Sequence, residues 1–345
     1  MSNNLNFCEL EKVFIIAELS ANHNGSLKVA IDTVKAAKRA GADAIKLQTY
    51  TADTITLDCN NEDFIIKSDS IWDGKSFHSL YKEAYTPWEW HKVLFEEAKK
   101  QGLLCFSSPF DLTAVDFLET LNNPIYKIAS FEITDIPLIK YVASKGKPII
   151  FSTGIAKIED INLAIKTCID QGNNKITLLK CTSSYPAPIN ESNLLMINDL
   201  SKRFGFQTGL SDHTLGITAP IIAVTQGAKV IEKHFILNKS LGGPDASFSL
   251  DEIEFAEMVK CVREAELALG KVDYSLTEKQ KKAREFSRSL YIIKDVVEGD
   301  IATKENVKSI RPGFGMHPKH FNSVLGKTFV SSFSKGTRMD KDKIV

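Results

Sequence analysis

The chain has 345 residues, 43% hydrophobic and 25% charged, with Lys+Arg and Asp+Glu balanced at 43 each. That is too long for one small domain and about right for a barrel of ~250 residues with an appendage. A net charge of zero offers no bulk field to recruit nucleic acid or an anionic membrane surface.

No apolar run reaches the ~20 residues that a membrane helix needs. The opening MSNNLNFCELEK lacks the charged and apolar regions of a secretory signal. Six scattered cysteines (Cys8, Cys59, Cys105, Cys168, Cys181, Cys261) include no C-x-x-C pair, which suits reduced thiols in the cytoplasm better than a disulfide framework.

In chain order, eight short apolar runs rich in β-branched residues recur: VFIIAEL from Val13, AIKLQTY from Ala44, LLCFSS from Leu103 and PIYKIAS from Pro124, then PIIFSTG from Pro148, KITLLKC from Lys175, QTGLSDH from Gln207 and KVIEKHF from Lys229. Amphipathic stretches such as SLKVAIDTVKAAKRAG and PWEWHKVLFEEAKKQG lie between them and end in Gly after a basic turn, a helix stop. Parallel strands need helical crossovers, so the alternation predicts a (β/α)8 TIM barrel over 1–270. The longest connection, 51–86, carries Trp72 and an acidic stretch and reads as a lid or subunit contact. After Gly270 the texture changes. A charged linker over 271–285 leads to a small, mostly β domain over 286–345, near the lower size limit for independent folding.

Chemistry in such a barrel collects at the carboxyl ends of the strands, and unusual polar residues recur there. Glu18 ends the first strand and runs into SANHNG with Asn22 and His23; Lys46 and Gln48 alternate on the second, so both point to one side. Ser107 and Ser108 end the third, Lys127, Ser130 and Glu132 belong to the fourth, and Ser152 and Thr153 end the fifth. The sixth closes on KCTSSY with Lys180, Ser183 and Tyr185, the seventh on Asp212 and His213, the eighth on Glu232 and His234.

One strand lysine often snorkels to solvent at a barrel rim, and one serine is often a turn residue. Lys46, Lys127 and Lys180 together need anionic partners if buried, which a phosphate and a carboxylate would supply. The serines of the third to sixth strands, as a set, resemble an anion pocket. His213 and His234 end neighbouring strands, ~4.8 Å apart, so the imidazoles are either structural or share a metal. Glu232 has the parity of His234 and is a candidate ligand or a support for one. Two protein ligands would leave positions open for water and substrate, and Mn²⁺ or Mg²⁺ would suit oxygen-rich surroundings. Asp245 in GGPDASFSLDE is a turn residue, a helix cap or a site anchor; Arg311 in SIRPGFG is a carboxylate clamp or a surface charge.

Through IAELSANHNG, GADAIKLQTY, YKIAS, STG, LLKCTSSYP, GLSDHT, EKHF, GPDASFSL and RPGFG, the chain resembles the sialic acid synthase family nearly end to end. The resemblance implies a barrel followed by a small SAF domain, similar to type III antifreeze protein. It also implies a domain-swapped homodimer and a condensation of phosphoenolpyruvate with an N-acetylated amino-sugar aldehyde. His213 and His234 then correspond to ligands of a divalent metal, Mn²⁺ with Mg²⁺ or Co²⁺ as alternatives. Lys46, Ser108, Lys127, Ser130, Ser152, Ser183 and Ser211 fall around phosphoenolpyruvate, and Glu18 matches the carboxylate that handles protons or positions water. Gln48, Tyr185, Asp245 and Arg311 fall on the sugar side, Asn22 is a further implied substrate-binding residue, and Glu18, Lys46, Lys127 and Asp245 form the implied catalytic set.

Within the family, ELSANHNG and GGPDASFSLDE resemble the branch that makes pseudaminic acid. Ala246, Ser247 and Phe248 stand where the sialic acid branch is more polar, which suits a 6-deoxy sugar with a second acetamido group. The implied acceptor is 2,4-diacetamido-2,4,6-trideoxy-L-altrose, and the product would serve surface glycans or flagellin glycosylation. The alternatives are an N-acetylneuraminate or legionaminate synthase using another N-acyl hexosamine, and a Schiff-base aldolase with Lys127 or Lys180 as nucleophile. A non-catalytic carbohydrate-binding protein would leave the metal ligands, the lysines and Glu18 without a purpose.

Overall fold

The computed structural model describes residues 10–67 and 72–345; Cys8 and the opening segment lie outside the described residues. The chain divides into two compact units, one ending at Gly270 and the other running Lys271–Val345.

In the first unit, eight parallel strands close in chain order: β1 (Phe14–Glu18), β2 (Ala44–Thr49), β3 (Leu104–Pro109), β4 (Tyr126–Ile128), β5 (Ile149–Ser152), β6 (Ile176–Cys181), β7 (Gln207–Asp212) and β8 (Val230–His234), with β8 pairing back onto β1. Several crossover helices begin at side-chain caps. Ser26 accepts from Val29 N and Asp135 from Leu138 N, while Asp251 forms a capping box with Glu254; each satisfies amides that a helix start leaves without partners.

The strands carry two apolar layers. Outward residues such as Ile15, Ile45 and Leu47 pack against Val34, Leu94, Met258 and Val262 of the helices. Inward residues Phe14, Ile16, Ala44, Phe106, Ile150, Leu179 and Val230 plug the barrel itself. Burial of each large side chain contributes about 1.5–3 kcal/mol. At Gly209 a Cβ would stand 2.1 Å from the Val230 carbonyl, so glycine is required where β7 approaches β8. Two residues beyond the plug, the alternation of strand side chains turns Glu18, Lys46, Ser108, Ser152, Cys181 and Glu232 into the barrel's carboxyl end.

The 51–86 connection has structure of its own: helices Ala52–Ile55 and Phe77–Ala84 and a 3-10 turn Glu62–Phe64. It returns to the barrel's own mouth, where Trp72 meets Tyr185 and Tyr81 meets Tyr50, at ring-centroid distances of 5.5 and 5.6 Å.

The second unit is held together mainly by β pairings. Its regular sheet is the antiparallel pair β9 (Ser289–Ile292) and β10 (Val307–Ile310), and the rest is held by single bridges such as Val296↔Phe333 and Phe329↔Ile344. Leu290, Ile292, Val307, Val324, Phe329 and Met339 form its core. Gly and Pro break the chain too often for long strands, so the core is closed by turns. The stretch read as a linker, 271–285, clusters with this unit and carries the helix Glu278–Ala283, started by a Thr277–Gln280 capping box.

Candidate active site

Four buried charges meet inside the mouth. Lys46 Nζ lies 2.6 Å from Glu18 and 3.7 Å from Glu232, and Lys127 Nζ lies 3.6 Å from Glu232. Lys46 also donates to Ser108 Oγ at 3.3 Å and Lys127 to Ser152 Oγ at 2.6 Å. Gln48 Nε2 donates to Glu18 Oε1 at 2.8 Å and to Ser20 Oγ at 3.0 Å, fixing that carboxylate from the next strand. Ser211 donates to Glu232 at 3.2 Å. None of these four charged side chains is more than 6% exposed, so each ion is stable only through its partners.

That environment separates the two carboxylates. Burial raises the Glu18 pKa, and Lys46 offsets this only in part. At Glu232 burial also acts upward, but Lys127 and Lys46 outweigh it and hold the carboxyl below its ordinary range. Burial pushes the Lys127 ammonium down, while at Lys46 Glu18 and Glu232 outweigh burial and push it up. Two carboxyl groups with opposed shifts divide naturally into one proton carrier and one fixed charge.

Beside the lysines is a serine cradle. Ser183 donates to Ser130 Oγ at 2.8 Å, and Ile155 N donates to the same oxygen at 3.0 Å. A Cβ on Gly154 would stand 2.2 Å from Ser183 Oγ and 2.7 Å from Ser130 Oγ. Only glycine lets the backbone come this close, as phosphate-binding loops require.

His213 and His234 face each other with ring centroids 5.3 Å apart. His213 Nδ1 is 3.0 Å from the Thr182 carbonyl; a proton there leaves Nε2 with its lone pair. His234 Nδ1 is buried without a hydrogen-bond partner, 3.6 Å from Asp245. Among the described residues no group of three or more His, Cys, Asp or Glu is arranged around a metal position. His213, His234 and the buried Glu232 Oε2, which has no hydrogen-bond partner, nonetheless supply donors of the kind a catalytic ion with open positions takes. Tyr185 packs 4.4 Å from His213 and Phe248 4.9 Å from His234.

Asp245 Oδ2 accepts from Ala21 N at 3.4 Å, tying the loop after β8 to the loop after β1. Asn22 braces the same two loops, its amide donating to the Phe235 carbonyl and to Ser249. Arg311 is exposed in the second unit.

Lys180, Ser107 and Asp212, among the strand-end polar residues, lie elsewhere. Lys180 turns to the Cys181 carbonyl and Thr182 Oγ1, on the outer face of β6. Ser107 bonds Thr49, which bonds the buried His91. Asp212 is held by the fully buried Lys233 and accepts from Thr214 N. All have the opposite parity to their inward neighbours. Glu132, in contrast, gains weight. Its Oε2 is buried without a hydrogen-bond partner, and burial, offset in part by Lys127, pushes the carboxyl up to about 7. It sits on the 3-10 turn Ser130–Glu132, where strand parity gives no signal.

The NeuB family model matches residues 33–274. Over 322 residues the chain is 51% identical to pseudaminic acid synthase of Campylobacter jejuni serotype O:23/36, covering 93% of this chain and 94% of that one. Identity to pseudaminic acid synthase of Helicobacter pylori is 47% over 331 residues, covering 96% and 97%. Among solved structures, the sialic acid synthetase of Leptospira borgpetersenii superposes with a TM-score of 0.71 at 31% identity, covering 80% of this chain and 91% of that one. The chain belongs to the NeuB family.

Proposed function

We propose that the chain is a pseudaminic acid synthase, condensing phosphoenolpyruvate with 2,4-diacetamido-2,4,6-trideoxy-L-altrose and water to give pseudaminic acid and phosphate. The observation that carries this reading is the buried Lys46–Lys127–Glu18–Glu232 cluster between a serine cradle and a histidine pair. Relatives of the same name at 51% and 47% identity support the choice of sugar.

On this reading Lys46, Lys127, Ser108, Ser152 and the Ser130–Ser183 cradle hold the phosphate and carboxylate of phosphoenolpyruvate and so fix its methylene carbon. That carbon attacks the sugar aldehyde, water adds to the cation left behind, and phosphate departs by C–O cleavage. Glu18, held by Gln48 and Lys46, takes the proton of the attacking water. A divalent ion on His213 and His234, Mn²⁺ with Mg²⁺ or Co²⁺ as alternatives, would supply charge stabilisation at the aldehyde oxygen. The second unit would be an SAF domain, and the working molecule a cytoplasmic, domain-swapped homodimer in which Arg311 of the partner subunit reaches the N-acyl group.

The test is phosphate release from phosphoenolpyruvate with Mn²⁺, comparing the deoxy sugar with N-acetylmannosamine. Release with the deoxy sugar alone is expected; release with N-acetylmannosamine instead keeps the chemistry and overturns the substrate.

A further inference from the structure

Three aromatic rings from separate segments converge beside the histidine pair. Trp72, from the 51–86 connection, lies 5.5 Å from Tyr185 at an interplanar angle of 49°. Tyr185, after β6, lies 4.4 Å from His213 and 5.4 Å from Phe248. Phe248, after β8, is only 2% exposed and stands 4.9 Å from His234. The serines flanking Phe248 are turned elsewhere: Ser247 is exposed, and Ser249 donates to the Asp245 carbonyl.

Resting on the reading of this mouth as a phosphoenolpyruvate–amino-sugar synthase site, we infer that Trp72 is a specificity-determining residue. With Tyr185 and Phe248 it completes an aromatic wall that takes the methyl-bearing groups by which a diacetamido 6-deoxy sugar differs from N-acetylmannosamine. Methyl groups against ring faces gain burial. A hydroxyl in the same place gives up its water without finding a partner. Such pockets discriminate by roughly 10- to 200-fold. Because Trp72 comes from a connection and not from a barrel strand, the lysine and serine groups facing phosphoenolpyruvate do not depend on it.

The test measures kcat/KM of the full chain for both sugars in wild type, W72A and W72F, with far-UV circular dichroism as a folding check. Where N-acetylmannosamine is not turned over, its inhibition constant takes the place of kcat/KM. W72A is expected to lower kcat/KM for the deoxy sugar by roughly 10- to 100-fold, mainly through KM. The values for N-acetylmannosamine hold or improve as the wall opens, the KM for phosphoenolpyruvate stays close to wild type, and W72F recovers most of the loss. No change in W72A, an equal loss with both sugars, or a raised KM for phosphoenolpyruvate overturns the inference. A wild type that releases no phosphate with the deoxy sugar refutes the proposed function itself and the inference with it.

Discussion

Replacing Glu232 by Gln keeps the shape of the side chain and removes the charge that faces two ammonium groups. Lys46 and Lys127 lie 3.7 and 3.6 Å from it. At an effective dielectric of about 20, a unit pair at this distance attracts by about 4–5 kcal/mol. The carboxylate's desolvation, itself several kcal/mol, opposes that gain, and removing one partner of a buried pair costs about 3–5 kcal/mol net. For a barrel of this size the loss corresponds to a Tm lower by roughly 6–10 °C. Lys46 keeps Glu18 at 2.6 Å, so Lys127 carries most of the damage. Differential scanning calorimetry with and without phosphoenolpyruvate reads both halves of the argument. The ligand brings negative charge to the orphaned ammonium, so it raises the Tm of E232Q by more than that of wild type. An unchanged Tm together with equal ligand shifts would show that Glu232 does not balance the two lysines.

Three other outcomes follow from the same geometry. E18Q should lower phosphate release by roughly 10²- to 10⁴-fold while phosphoenolpyruvate still stabilises the protein; full turnover in that variant removes Glu18 from proton transfer. Glu132, whose carboxyl rises from 4.5 to about 7 on burial, binds its proton more tightly folded than unfolded. Stability from this group is therefore lost as pH rises from about 4.5 to 7 and is level above that window, and E132Q should flatten that part of a Tm–pH curve; superimposable curves count against it. Exhaustive chelation should abolish phosphate release and Mn²⁺ restore it, with no restoration in folded H213A or H234A. Turnover that survives chelation excludes the metal from the mechanism.

Much of the barrel was legible because its signals are local. Each run from VFIIAEL to KVIEKHF became a strand, and parity put Lys46 and Gln48 on one side of β2, where the structure brings both to Glu18. Parity also separates Ser108 from Ser107 and Glu232 from Lys233, although grouping strand-end residues by type obscured it at Lys180, which faces outward. The short irregular elements were less readable. The helices of 51–86 and the helix Glu278–Ala283 are too brief to establish a 3.6-residue period, and Glu132 lies on a turn.

By itself the chain of residues determined the eight strands, their order and which side chains face inward, since alternation and crossover length are local properties. It also supplied the chemical inventory: lysines, carboxylates, serines and paired imidazoles at strand ends. Only the tertiary structure decided who meets whom across the barrel. Lys127 on β4 reaches Glu232 on β8, and Trp72, Tyr185 and Phe248 gather from three connections. Such contacts depend on the tilt and closure of the whole sheet, which act over the barrel's diameter and leave no periodic trace along the sequence.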